Sequence, residues 1–209
     1  MIQAPIRPTI SSEDLTDQDQ HLICSGISWE QFQLIRTGFA NSKGVRFFYH
    51  EETIEIIMPS RAHETVSRFI CVLLSVFCIE HNIEFEPTGS MTQQREGEVS
   101  IEPDESYCFG TSKPIPDLAI EVVFTSGSTK KLQRYQALEI PEVWFWQDGI
   151  FSLYHLRQDN YEAIAYSEIA QSEIPQLKDL DIDLLTRCVL IAQTSRIEAA
   201  NTFRNALKK

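Results

Sequence analysis

Apolar positions along this chain recur at a spacing of three to four residues in some stretches and alternate in others, and each change of period marks an element. Ser28-Trp29-Glu30-Gln31 reads as a capping box that opens a short helix through about Ala40. GVRFFYHEETIEIIMP then reads as two strands, 44–50 and 53–58, joined across Glu51-Glu52. From Ser60 to about His81, the positions Val66, Phe69, Ile70, Leu73, Leu74 and Phe77 form a broad apolar arc, which predicts a largely buried helix at the centre of the fold. Strands are expected at 83–87, 88–94, about 101–108 and, most clearly, 117–124, followed by a helix over 128–139 that Pro141 closes. EVWFWQDGIFSLYHL predicts a hairpin around Asp148-Gly149, with NYEAIAYS as a third strand. Beyond Pro175 the pattern is mainly helical and ends in an amphipathic, partly frayed tail.

This order predicts an α/β (mixed α+β) fold, a central mixed sheet flanked by helices. Residues 1–27, rich in Pro, Ser, Asp and Gln, read as a poorly ordered leader, 28–190 as the domain, and 191–209 as a C-terminal helical tail. A chain of 209 residues and 24.0 kDa suits one domain with a substantial core.

Charge narrows the function classes. With 18 basic and 30 acidic residues the formal charge is −12, which opposes general nucleic-acid binding unless Lys and Arg gather around one cleft. The five cysteines lack a CxxC pair and lie among apolar neighbours, so zinc and a disulfide framework are disfavoured and buried free thiols expected. No basic segment followed by an apolar stretch and cleavage site opens the chain, and the apolar run Phe69–Ile79 is shorter than a membrane span. The expectation is a cytoplasmic protein with no membrane association.

The chemistry concentrates in IPDLAIEVVFTSGSTKKLQRY, residues 115–135. Strand alternation sets Leu118, Ile120, Val122 and Phe124 on one face, and Asp117, Ala119, Glu121 and Val123 on the other. A mid-strand carboxylate such as Glu121 needs a metal, a cation or several donors. Asp117 is about 13 Å away along the strand, too far to share one ion. A second Pro-Asp pair supplies Asp104, within SIEPDESYCF, and neighbouring strands about 4.8 Å apart would let Asp104 and Glu121 chelate one hard cation. Magnesium keeps waters beside one or two carboxylates, and Lys131 on the next helix would hold the attacking water or the developing phosphoryl charge. Other readings stand beside these: Asp117 as a strand opener, Glu121 paired to a structural Arg or Lys, Asp104 as a turn residue, and Lys130 and Lys131 as solvent-facing charges.

EPDESY, PDLAIEVV-TSG, KL--Y, IPEVWFW and the following YHL resemble, in this order, the Uma-type putative restriction endonuclease family of the PD-(D/E)XK nuclease superfamily, over about Trp29 to Leu185. The resemblance implies a restriction endonuclease-like core with a metal site on adjacent strands. Asp104 matches the aspartate of the Pro-Asp motif and Glu121 the acid of the Glu-X-Lys motif, but Val123 stands where that lysine is expected. Lys131, in the KL--Y segment, is the substitute the resemblance suggests. His63 and Glu64 match the family's helix pattern, Glu64 as a ligand through water and His63 as a supporting histidine.

The leading expectation is therefore a Mg²⁺-dependent DNA endonuclease, with Mn²⁺ as a possible substitute, in which Asp104, Glu121 and Glu64 serve the metal and Lys131 orients water. A homodimer is implied by restriction-type enzymes. The alternative is a non-catalytic, acidic protein-binding or regulatory member of the same fold. A Cys or Ser hydrolase is disfavoured, since TSGST lacks the strand-nucleophile-helix pattern.

Overall fold

The computed structural model describes residues 18–124, 128–169 and 175–208. Residues 1–17 of the leader expected over 1–27, and the turn expected at 125–127, lie outside the described residues.

Two sheets form where one was expected. Strands β4 (Phe85–Pro87), β7 (Glu105–Phe109), β8 (Leu118–Val123), β9 (Glu142–Gln147), β10 (Ile150–Leu156) and β11 (Tyr161–Ile164) make a mixed sheet of order β11-β10-β9-β8-β7-β4. Only β8 and β9 run parallel, joined by helix α3 (Ser128–Ala137) as a βαβ unit, and the remaining neighbours are antiparallel. Strands β1 (Gln20–Ser25), β2 (Arg46–His50), β3 (Thr53–Met58), β5 (Gln93–Arg95) and β6 (Val99–Ile101) form a second, antiparallel sheet of order β1-β3-β2-β6-β5. The expected leader thus yields a strand from Gln20, paired along β3 from Gln20↔Met58 to Ser25↔Thr53. Its burial is slight, which is why its polarity read as loop.

The strand expected at 101–108 is two strands in different sheets. The chain leaves the second sheet after Ile101, crosses through Glu102-Pro103-Asp104, and enters the first at Glu105. Pro103 has no N–H to give a ladder, so the break falls at that residue's neighbourhood. The strand expected over 88–94 shrinks to Gln93–Arg95, because Gly89 adopts φ +57° in a turn before it.

Each layer follows from alternation. Leu118, Ile120 and Val122 of β8 face a core that includes Phe69, Ile70, Leu73, Leu74 and Phe77 of helix α2 (Arg61–Glu80), together with residues of α4 (Ile182–Ala192) and α5 (Arg196–Leu207). The expected tail is thereby part of this core, with Ala199 and Phe203 fully buried. Helix α2 has the length and hydropathy of a membrane span, and it buries seven residues in this core. Ala119 and Val123 face the opposite way, against Leu132, Tyr135 and Leu138 of α3 and Phe48, Ile57, Val99 and Ile101 of the second sheet. That sheet's outer face, Phe47, Tyr49, Ile54 and Ile56, is covered by Phe32 of α1 (Trp29–Gly38). Ser28 caps α1 with the full capping box to Gln31, as its sequence predicts, and Ser60 caps α2.

Candidate active site

The two sheets meet where Asp104 crosses between them. Asp104 is 2% exposed, and its carboxylate reaches the neighbouring strand, where Oδ2 accepts the backbone N–H of Val122 at 2.6 Å. The antiparallel register Glu105↔Ile120, continued one residue, sets Asp104 opposite Glu121. Opposed residues of such a pair carry Cβ atoms about 5 Å apart on one face. The structure thus brings the two acids from separate segments to the same point of the sheet. Glu102 fixes the crossing: its Oε2 accepts from the Phe47 N–H at 2.9 Å and its Oε1 from the Thr92 hydroxyl at 3.0 Å.

Three elements converge on Asp104. Arg46 is the one charged residue of strand β2 and alternates with Phe47, so it shares Phe48's face toward the site. Its Nη1 pairs with Asp104 Oδ1, its Nη2 with Glu64 Oε1, and Nη1 also lies 3.4 Å from His63 Nε2. His63, 3% exposed in the first turn of α2, places Nε2 at 2.9 Å from Asp104 Oδ2 and Nδ1 at 2.7 Å from Asp19 Oδ2. Asp19 in turn accepts the Ser60 N–H at 2.8 Å. Burial disfavours ionised Asp19, but the hydrogen bonds from His63 and Ser60 and the imidazole's charge outweigh it, holding the carboxyl at about 2. His63 therefore supports Asp104 from behind, braced by Asp19. Beyond the strand, Phe124 meets the His63 ring edge-on at 5.6 Å, so α2 begins at the C-terminal end of β8.

Helix α3 serves Glu121. Lys131 is 8% exposed and donates from Nζ to Glu121 Oε2 at 3.3 Å, so this lysine turns inward to the acid from the position suggested for it. One turn on, Tyr135 donates its hydroxyl to Glu121 Oε1. Burial first, then the charge of Glu121, holds the Tyr135 phenol far above its ordinary range, so it stays protonated as donor. Arg134, three residues from Lys131, stacks its guanidinium on Phe48 at 4.6 Å and bonds Glu55 Oε2 at 2.5 Å. Burial works against the Glu55 anion, but Arg134 and Lys131 overcome it and lower the carboxyl below its usual range.

Glu64 is half-exposed and is joined to Asp104 through Arg46, with Arg68 Nε at 3.9 Å on its other oxygen. Asp117 has a structural role: Oδ2 accepts the Phe109 N–H at 2.8 Å and both oxygens lie 2.7 Å from Lys113 Nζ. The side chain of Lys130 is outside the described residues. The cysteines are free, three of them buried, and burial pushes Cys78 up to about 12, which suits packing and not nucleophilic chemistry.

Arg46, Asp19 and Tyr135 are the site residues that sequence reasoning missed. Two left a signal. A lone arginine in the apolar VRFFY strand demands a buried acid, and Tyr135 lies at i+4 from Lys131, on the same helix face. Asp19 left none, sitting in a polar stretch.

As a donor set, Asp104 and Glu121 offer hard carboxylate oxygens from neighbouring strands, which fits a small divalent cation that keeps most of its waters. Among the described residues no three His, Cys, Asp or Glu side chains are grouped so as to hold a metal ion, so an ion here would rest on these two carboxylates and on waters.

Comparison with known proteins gives the same direction. Residues 29–184 match the sequence model of the Uma2 family, whose description is "Putative restriction endonuclease". A solved crystal structure, that of a putative nuclease belonging to DUF820 from Anabaena variabilis ATCC 29413, superposes with a TM-score of 0.54 at 16% identity, covering 78% of this chain and 99% of that one. The fold is thus restriction endonuclease-like. No curated protein sequence matches the chain.

Proposed function

Since the chain belongs to the Uma2 family of putative restriction endonucleases, we propose that it is a divalent-metal-dependent nuclease that hydrolyses phosphodiester bonds of DNA at the Asp104–Glu121–Lys131 centre. The observation that carries this reading is the buried Lys131 ammonium on Glu121, one strand from Asp104, because it restores from helix α3 the charge that Val123 does not supply.

Asp104 and Glu121 would hold Mg²⁺, or Mn²⁺ in its place, with Glu64 reached through water. Once bound, the ion supplies Lewis-acid stabilisation of phosphoryl charge and a more acidic water. The chain's own groups do the rest. The Val122 N–H and His63 fix the Asp104 carboxylate in direction, and Tyr135 fixes Glu121 Oε1, with Lys131 on the other oxygen. Lys131 Nζ donates to the attacking water or a non-bridging phosphate oxygen. The water oxygen forms the new P–O bond as the bond to the leaving oxygen breaks; the attacking water releases one proton to solvent and the leaving oxygen takes one up. A preorganised donor to developing charge is worth about 10²–10³ in rate.

The acidic balance of −12 does not oppose a local site, since Arg46, Arg68, Lys131 and Arg134 gather at the meeting of the sheets. Two copies acting on two strands would suit a homodimer. A second reading, a non-catalytic binding member of the fold, is favoured by one observation, that Arg46 already neutralises Asp104.

One experiment separates the two readings. The purified chain is titrated with Mn²⁺ while its melting temperature is followed, and is then incubated with supercoiled plasmid and Mg²⁺. A metal-induced rise in Tm lost in Asp104→Asn and Glu121→Gln, together with nicking lost in Lys131→Ala, supports the nuclease. Neither effect in the wild type would leave the binding reading.

A further inference from the structure

Arg46 does something a purely structural cation need not do: it grips the acids that a metal would need. Its guanidinium spans Asp104 Oδ1 and Glu64 Oε1 at once, and lies 3.4 Å from His63 Nε2. With Oδ2 already taken by the Val122 N–H at 2.6 Å and His63 at 2.9 Å, the remaining Asp104 oxygen, Oδ1, is the one Arg46 occupies. A carboxylate has about four lone-pair positions, and three here are filled. Arg46 is also 6% exposed, so its charge is not dissipated by solvent but acts at close range on any incoming cation.

Resting on the metal-dependent reading above, we propose that Arg46 is an internal counter-cation that competes with the divalent ion for Asp104 and Glu64 and so sets the affinity of the site for metal. Without metal, the planar fork of the guanidinium bridges the two acids and cancels their repulsion. Metal binding has to loosen at least one of those two contacts. The arginine thereby stabilises the metal-free fold and weakens metal binding, two effects with opposite signs in one residue. A residue that merely positioned the ligands would act with one sign, and its loss would weaken metal binding.

Arg46→Met keeps much of the apolar stem and removes the charge, while Arg46→Lys keeps a charge that, as a point, cannot bridge two carboxylates as a fork does. The full chain and both variants are titrated calorimetrically with Mn²⁺, and the melting temperature of each is recorded with and without the ion. The expected result is a lower metal-free Tm for Arg46→Met, a Mn²⁺ affinity at least about tenfold tighter than wild type, and a larger metal-induced rise in Tm, with Arg46→Lys between the two. Equal or weaker Mn²⁺ binding by Arg46→Met, where the wild type binds, overturns the competition and leaves the metal site standing. No Mn²⁺ binding by any of the three chains overturns the metal site and the competition together. Should Arg46→Met fail to fold, Arg46→Lys decides alone: tighter binding than wild type supports the proposal, and equal or weaker binding ends it.

Discussion

Asp19 is ionised in spite of its burial, and the reason lies in His63 and the Ser60 N–H. Its carboxyl is held at about 2 against an ordinary value of 3.8, so the stabilisation is complete above about pH 4 and is lost as pH falls through 2. Nearly two pH units at about 1.4 kcal/mol each predict that Asp19→Asn costs about 2 kcal/mol at neutral pH and little at pH 2, checked by urea unfolding across that range. Glu105 has the opposite sign. It is 1% exposed, its Oε2 has no partner, and burial raises its carboxyl despite Arg68 and Ser67. The folded state then holds its proton more tightly than the unfolded one, so stability drains as pH rises above about 4.5 toward the raised value. Glu105→Gln removes that loss, and its melting temperature is expected to gain on wild type between pH 4 and pH 7; a constant difference would contradict the assignment. At this scale the sequence was informative about acids and poor about their partners. Glu121 and Asp104 announce themselves as carboxylates in apolar or proline contexts, and Arg46 signals a buried acid without saying which, whereas Asp19 matters only through its contact with the His63 ring, which no local pattern records.

At the scale of elements, helix α3 concentrates the chemistry by its period. Lys131, Arg134 and Tyr135 at i, i+3 and i+4 share one face, and that face lies on Glu121, Phe48 and Glu55. Tyr135→Phe leaves Glu121 Oε1 without its donor in a buried place, which predicts a loss of about 1–3 kcal/mol in chemical unfolding together with reduced nuclease rate. The hairpin of β2 and β3 turns on Glu51 and Glu52, with φ of 48° and 54°. Neither residue favours that region, and Asn-Gly suits it, so Glu51→Asn with Glu52→Gly is expected to stabilise the fold by about 1 kcal/mol, read as a higher Tm. The Ser28 capping box and the Asp148-Gly149 hairpin were legible because their chemistry is local. The split of 101–108 was not, because a chain passing from one sheet to another keeps the same extended pattern, and only Pro103 hints at the break.

For the whole molecule, a net charge of −12 surrounds a centre whose cations are largely spent on internal acids. Of the four that gather there, Arg68 is the exposed one, with 59% of its side chain accessible. Each phosphate contact contributes about −0.9 to the slope of log affinity against log salt. Binding of duplex DNA is therefore expected to be weak with a shallow slope, about −3 or less in magnitude; a steep slope near −8 in a fluorescence titration would reveal a basic surface that this fold does not present at the site. On the proposed reading, the two-layer arrangement lets the sheets shield the centre from the surface charge around it, so an acidic chain is no obstacle to that chemistry. The most direct test is a crystal soaked in Mn²⁺ and measured at the manganese absorption edge. An anomalous peak between Asp104 and Glu121, with Lys131 Nζ beside it, is the predicted result. Manganese found only elsewhere on the molecule, with both carboxylates still held by Arg46, Tyr135 and Lys131, would contradict it.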